Sequence, residues 1–377
     1  MNQPIYLDHN ATTPVHPAVL DQMLPWLRDH FGNPSSSHCH GRAAAQAVLT
    51  ARESVAALIG ATPAEIVFTG CATESSNLAL LGVAQALRGP RHLVVSAVEH
   101  PAVMAPAAWL REQGWSLTVV DVDRFGRVDP LDLEKALRPD TALVSVMHAN
   151  NEVGTVQPVE QIARLTHSRG IVLHTDAAQT VGKVSVDVDT LGVDLLSIAG
   201  HKFGAPKGVG ALYVRNGTPI TPILHGAGQE RSLRPGTENV PLIVALGAAA
   251  RLVQQALPGL ADTLLQRRDQ LHRLLADAIP GLQLNGHPEH RLPNTAHLSF
   301  PGVSGRALLQ EAAEVAASLG SACHSASDAV SGVLAAMQVD AARAAGSVRL
   351  SVGSATTSDD VTRAADALVQ AWRRLVA

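Results

Sequence analysis

Between residues 64 and 215 the chain alternates short, β-branched apolar runs with stretches of helical spacing. That rhythm restricts the fold to an α/β domain with a mainly parallel sheet, because each helix returns the chain to start the next strand in the same direction. The runs EIVFTG, HLVVSAV, LTVVDVD, TALVSVMHANN, IVLHTDAA, DLLSIAGHK and GVGALYVR read as strands. ESSNLALLGVAQALR, AVMAPAAWLREQG, a segment near 130–138 and PVEQIARLTHSRG read as the helices between them. A long helical stretch over 239–278 leads to PGLQLNGHPEHRLPNT, which is rich in turn residues. Beyond it the order changes to strand AHLSF, a helix from 305, strand SVRLSVG and a last helix from 358. That last helix puts Val361, Ala364, Ala365, Leu368, Trp372 and Leu375 on one face. The expectation is a large α/β domain followed by a smaller α+β domain.

Composition is compatible with two such cores. Of 377 residues 46% are hydrophobic and 16% charged, which argues against disorder. A net charge of −4 argues against nucleic acid as a partner, since its binders carry a basic face. The start, MNQPIYLDHNATTPV, lacks the basic and apolar regions of a secretory signal, and Arg251 interrupts the apolar run LIVALGAAARLV. Cys39, Cys71 and Cys323 are odd in number and widely spaced, unsuited to a disulfide framework. A cytoplasmic globular protein with no membrane partner is expected.

Three features carry chemistry. In SLGSACHSAS, Cys323 stands among small and hydroxylated residues, with His324 beside it and no bulky apolar neighbour to bury the thiol. In HTDAAQTVGK, Asp176 ends an apolar strand, where open α/β sheets form their ligand crevice; a helix cap is the alternative. In SIAGHKFGAPKGVG, Lys202 follows another apolar strand and suits an amine in a low-dielectric pocket, able to form a Schiff base. Such an aspartate–lysine pair fits a pyridoxal phosphate enzyme, with the aspartate on the pyridine nitrogen and the lysine on the aldehyde. In FTGCATESSN, Ala72 and Thr73 at a helix start offer donors to a phosphate, although Thr73 could equally be a plain helix cap. The glycines of GAPKGVG precede no helix, so they are not a dinucleotide loop. SHCHG, with His38, Cys39 and His40, is a weak metal candidate without a second cluster, and no metal site is expected.

The motifs YLDHNATTPV, FGNPSSSH, FTGCATESSNLA, VEHPAV, HANNEVGTVQP, HTDAAQTVGK, GHKFGAPKGVGALYVR, RPGTENV and GSACHSAS follow one another between residues 6 and 327. In that order they resemble the cysteine desulfurases of the NifS/IscS type, most closely the NifS form, within the class-V aminotransferase-like, fold-type-I pyridoxal phosphate enzymes, and the resemblance extends from about residue 5 to 375. The resemblance implies an aspartate aminotransferase-like fold. A large cofactor-binding unit would span 15–258, and a small unit of 1–14 and 259–377 would carry the cysteine loop.

It also implies L-cysteine as substrate and alanine as product, with sulfur held as a persulfide on Cys323 for a protein acceptor such as an iron–sulfur scaffold or sulfur carrier. By motif, Lys202 matches the lysine that carries the cofactor, Asp176 the partner of its ring nitrogen, and Gln179 the donor to its phenolic oxygen. His100 matches the histidine stacked on the ring, also an acid/base; a capping role is the plainer reading. Ala72, Thr73 and His201 match phosphate binders. Thr237 matches a residue given across the interface of a homodimer. Asn151, with Asn150 beside it, matches a cofactor and substrate contact. Arg349 matches the clamp on the substrate carboxylate, where a planar fork binds two oxygens; a surface ion pair is the alternative.

Three departures stand out: Ala199 before GHK, where many relatives have serine or cysteine, His324 after the cysteine, and SDAVS nearby. The first implies one phosphate donor fewer. The chain also stops at Ala377, earlier than relatives that dock on a scaffold. An aminotransferase, β-lyase or selenocysteine lyase on the same fold would need Lys202 and Asp176, but the first two not Cys323.

Overall fold

The computed structural model describes residues 4–89, 91–320 and 331–377. After strand β1 (Ile5–Tyr6), helices α1 (Pro17–Arg28) and α2 (Cys39–Leu58) precede the main sheet. The sheet and its helices follow as β2 (Ile66–Thr69), α3 (Ala72–Ala86), β3 (His92–Ser96), α4 (Pro101–Glu112), β4 (Ser116–Val120) and α5 (Pro130–Ala136). Next come β5 (Thr141–Ser145), α6 (Val159–His167), β6 (Val172–Asp176), α7 (Val188–Leu191), β7 (Leu195–Ala199) and β8 (Gly210–Val214). The strand order is β2-β8-β7-β6-β5-β3-β4. Only β8 runs against the others, so the sheet is mainly parallel, as the alternation implied.

The strands are apolar on both faces because each face has its own core. Period-two alternation sends Val67, Leu93, Val95, Leu143 and Leu195 to one side, against Leu78, Val83 and Val103 of α3 and α4. Ile66, Phe68, Val94, Val144 and Leu196 go to the other side, against α2, α6 and the next helix. That next helix, α8 (Val240–Ala278), is 39 residues long and so spans about 58 Å. Its first half, with Ala245, Leu246 and Ala249, belongs to the large core, and its second half, with Leu264, Leu271 and Leu275, to a separate one. Position 258/259 therefore falls inside a continuous helix that contains Pro258. By length and composition alone α8 could cross a membrane, and 44% of its most apolar window is buried in the fold.

The second core gathers around β9 (Gln283–Asn285), β10 (Thr295–Ser299) and α9 (Gly305–Glu311). It continues with β11 (Val315–Ala316), α10 (Gly332–Ala336), α11 (Ala341–Ala345), β12 (Ser347–Ser351) and α12 (Ser358–Val376). β12, β10 and β9 form an antiparallel sheet, while β1 pairs in parallel with β11 and brings the first described residues here. Within the turn-rich segment 280–295 the sequence reading missed strand β9, because three residues are too few to show a period. In α12, Val361, Ala364, Ala365 and Leu368 are buried and Trp372 packs on the core. Leu375, expected on that face, is 38% exposed.

Candidate active site

With β2, β3, β5, β6 and β7 parallel, their carboxyl ends lie along one edge, and each delivers a side chain there. The segment after β2 starts α3 at Ala72, that after β3 gives His100, and that after β5 gives Asn151. The end of β6 is Asp176, with Gln179 in the turn beyond it, and β7 runs into His201 and Lys202. These residues, with Ala199, Arg349, Asn10 and Cys71, line a cavity of about 250 Å³. A larger, more apolar cavity of about 420 Å³ lies between the N-terminal segment, α8 and residues 352–355, and Lys202 borders both. The smaller one is the candidate active site, because of the two only it combines the N-terminus of α3, a buried carboxylate and an amine.

The anion end is built from backbone. Cys71, not Thr73, occupies the N-cap of α3 and makes no side-chain cap hydrogen bond, which leaves first-turn amides available to a phosphate. His201 stands beside them, its Nδ1 3.1 Å from Thr12 Oγ1. Burial, reinforced by Lys202, Lys207 and Lys183, lowers its pKa to about 4. It is a neutral ring at pH 7.

At the far end, Asp176 is 5% exposed and accepts from the Ala178 amide at 2.9 Å, so it is a local cap as well as a cavity wall. Burial raises its pKa, while that amide, His100 and Lys202 pull it down. Asp176 forms no ion pair among the described residues, a protonated ring nitrogen in the cavity would supply one, and the donor set thus fits pyridoxal phosphate from end to end. His100 takes the capping role while lining the cavity. Its Nδ1 caps α4 by accepting from Ala102 N at 3.1 Å, so the neutral ring carries its proton on Nε2. Burial lowers its pKa, as does Lys202, against the pull of Asp176.

Lys202 Nζ donates to Asn10 O at 2.5 Å and Ala11 O at 2.9 Å. Arg349 is not a surface ion pair. It is 2% exposed, donates to Asp8 Oδ1 at 2.8 Å and to Asn151 O at 3.0 Å, and its buried Nε has no partner among the described residues. Asn150, by contrast, is structural: its Oδ1 accepts from Glu152 and Val153 amides and its Nδ2 donates to Val98 O.

Thr237 is exposed and does not line this cavity. Its loop is held by an unusual turn in which Glu230, Arg231 and Ser232 all have left-handed backbone, φ 47°, 57° and 64°. Such a conformation costs roughly 1–2 kcal/mol per residue. The Glu230 carboxylate offsets part of it by accepting from Arg52 at 2.5 and 2.8 Å and from Phe68 N at 2.8 Å. Cys323 and His324 lie outside the described residues. Cys39 and Cys71 are exposed thiols, and His38 caps α2; among the described residues no group of three or more His, Cys, Asp or Glu could hold a metal.

Sequence reasoning passed over Asn10, Asp8, Glu99 and Lys183. The first two lie in YLDHNATTPV and the last two in VEHPAV and HTDAAQTVGK, all quoted as motifs without a role for these members. Glu99 is buried between the ends of β3 and β5. Its Oε1 accepts from Ser96 Oγ at 2.6 Å and Met147 N at 2.7 Å, and its buried Oε2 has no partner among the described residues.

Burial raises the pKa of Glu99 from 4.5 to about 8, with Asp176 adding to the rise. The unfolded chain ionises this group above 4.5 while the folded chain keeps the proton, so stability falls between those values by up to about 1.4 kcal/mol per pH unit. Glu99→Gln, a neutral isostere, should therefore melt higher than the wild type, with a gap that grows from pH 5 to 8 and then levels. Melting curves across that range check it; a lower melting temperature throughout would mean the folded chain holds the carboxylate ionised.

The aminotransferase class-V family model matches residues 5–364. A cysteine desulfurase IscS of Dictyoglomus turgidum is 46% identical, with 100% of this chain and 96% of that protein aligned. The human cysteine desulfurase is 42% identical over 99% of this chain and 82% of its own. Among solved structures, a NifS-like protein superposes with a TM-score of 0.91 at 38% identity, covering 98% of this chain and 99% of the other. The chain belongs to the aminotransferase class-V family, on its cysteine desulfurase branch.

Proposed function

We infer that this chain is a pyridoxal phosphate-dependent cysteine desulfurase, which takes L-cysteine to L-alanine and keeps the sulfur as a persulfide on Cys323. The observation that supports this most is the cavity itself: an uncapped helix N-terminus, the buried Asp176 and Lys202 line one space. The Ala72 and Thr73 amides and His201 would hold the phosphate, Asp176 the ring nitrogen and Gln179 the ring oxygen. His100 would lie over the ring. When bound, the cofactor supplies an electron sink for charge left at the substrate Cα.

The protein's own groups do the rest. Arg349 receives the substrate carboxylate with Asn151 beside it, and Asp8 holds one arm of the guanidinium in place. The Lys202 amine, freed when substrate takes its place, removes the Cα proton. His100 holds a proton on Nε2 within the same cavity. The Cys323 thiolate then takes the substrate sulfur: an S–S bond forms as the C–S bond breaks, its electron pair stays with the substrate carbon, and protons delivered to Cβ and, from Lys202, back to Cα leave alanine. Small neighbours around Cys323 suit a thiol that must reach both the cofactor and an outside acceptor.

The same reading gives a large unit of 15–258 and a small unit of 1–14 and 259–377, which the two separate cores support. It makes the protein a cytoplasmic homodimer in which Thr237 serves the partner's phosphate site, with an iron–sulfur scaffold or sulfur carrier as acceptor and no membrane or nucleic acid as partner. Exposed Thr237, outside its own cavity, supports that exchange.

Two experiments test the reading. The chain supplied with pyridoxal phosphate, L-cysteine and a thiol reductant should yield alanine and sulfide in equal amounts; pyruvate and ammonia would make it a β-lyase instead. Asp176→Asn should retain the cofactor but slow turnover about 10- to 100-fold, the value of one buried charge-assisted hydrogen bond. An unchanged rate would show that another group serves the ring nitrogen.

A further inference from the structure

Lys183 is 4% exposed, yet its nearest electrostatic partners are other cations, Lys202 and Arg349. An amine so placed is costly to bury, and an apolar side chain would fill the space more cheaply. Its hydrogen bonds show what it does. Nζ donates to Gln179 Oε1 at 2.6 Å and to Asn10 Oδ1 at 3.0 Å. Gln179 Nε2 in turn donates to Asn10 O at 3.0 Å, the same carbonyl that receives Lys202 Nζ. The Asn10 amide is fixed in the same way: its Oδ1 also accepts from Asn294 Nδ2 at 3.0 Å, while its Nδ2 donates to Thr295 Oγ1 at 2.8 Å.

We propose that Lys183 is a positioning residue that locks the amides of Gln179 and Asn10, so that Gln179 presents its N–H donors, and never its oxygen, to the cofactor cavity. A carbonyl cannot donate, so Asn10 O requires the Gln179 nitrogen on its side, and Lys183 requires the oxygen on the other. One Gln179 N–H goes to Asn10 and the second is left for an oxygen of the ligand in the cavity that Gln179 lines. The assignment survives either protonation state of Lys183. Burial and the two cations push its pKa well below the usual value, but even the neutral amine keeps two N–H donors. His9, whose pKa burial and then the same lysine lower to about 4, is neutral and adds no further positive charge nearby.

This rests on the pyridoxal phosphate reading, and the bound cofactor's visible absorption reports on it. A donor on the ring oxygen draws electron density from it and weakens its hold on the adjacent proton. Loss of that donor therefore raises the pH midpoint of the colour change. Lys183→Met should raise the midpoint by roughly one unit and weaken cofactor retention about tenfold. Gln179→Ala should do the same, and the double variant no more than either alone. Additive shifts, or a Lys183→Met titration like the wild type, would overturn the proposal while leaving the functional reading intact. A wild-type chain that takes up no pyridoxal phosphate would end both.

A cofactor-free measurement decides the matter if Lys183→Met does not fold. Gln179→Glu and Gln179→Met both give up the bond to Asn10, but only the first puts a carboxylate beside Lys183, so the apo full chain of Gln179→Glu should melt above that of Gln179→Met. Gln179→Glu melting at or below Gln179→Met, the result for a buried carboxylate with no cationic partner, would overturn the contact.

Discussion

Lys202→Ala should fold like the wild type and lose turnover by about 10⁴-fold, because one side chain is asked both to hold the cofactor and to move the Cα proton. The cost to stability is small: Lys202 is half-buried, and the Asn10 and Ala11 carbonyls it serves face a cavity that water can enter. Borohydride treatment of the wild-type holoenzyme should fix the cofactor's mass on the peptide containing Lys202. The variant should show no such peptide and only reversible binding through the α3 N-terminus and Asp176. Alanine formation at the wild-type rate in Lys202→Ala would remove this residue from the chemistry.

The second large effect is expected at Cys323. Cys323→Ser should keep the wild-type absorption spectrum and its response to added L-cysteine, since the residues lining the cavity are untouched. Sulfide and alanine should nevertheless fall to background, because a serine hydroxyl is not ionised at neutral pH and cannot take sulfur as a thiolate does. The two variants separate the halves of the mechanism: the lysine variant fails before substrate is activated, the serine variant after. Normal sulfide release by Cys323→Ser would mean the sulfur leaves without visiting this residue.

Much of this site could be read from sequence because strands buried on both faces are continuous apolar runs, and a charged residue that ends one is conspicuous. Asp176 after VLHT and Lys202 after LLSIAGH stood out for that reason. The alternation of such runs with helices gave all seven strands of the main sheet, including the half-exposed edge strand β4. What stayed hidden depends on contacts between distant parts of the chain. Asn10 meets Lys202 across 192 residues and Asp8 meets Arg349 across 341, and no local period carries such pairings. Lys183 carried no role in its motif, and its burial at 4% exposure shows only once the fold closes over it. At Thr73 the sequence left a phosphate donor and a plain helix cap equally open, and only the backbone shows that the cap position belongs to Cys71, which leaves the amides available.

Cys71 also makes the decisive measurement sharper, since it is a second thiol, exposed at the wall of the same cavity. The wild-type holoenzyme, mixed with one equivalent of L-cysteine without reductant, alkylated and digested, can be read by mass spectrometry. One added sulfur on the peptide containing Cys323, matched by one alanine per sulfur and absent from the Cys71 peptide, is the predicted result. Added sulfur on Cys71 alone, or alanine formed with no sulfur on any cysteine, would contradict Cys323 as the acceptor.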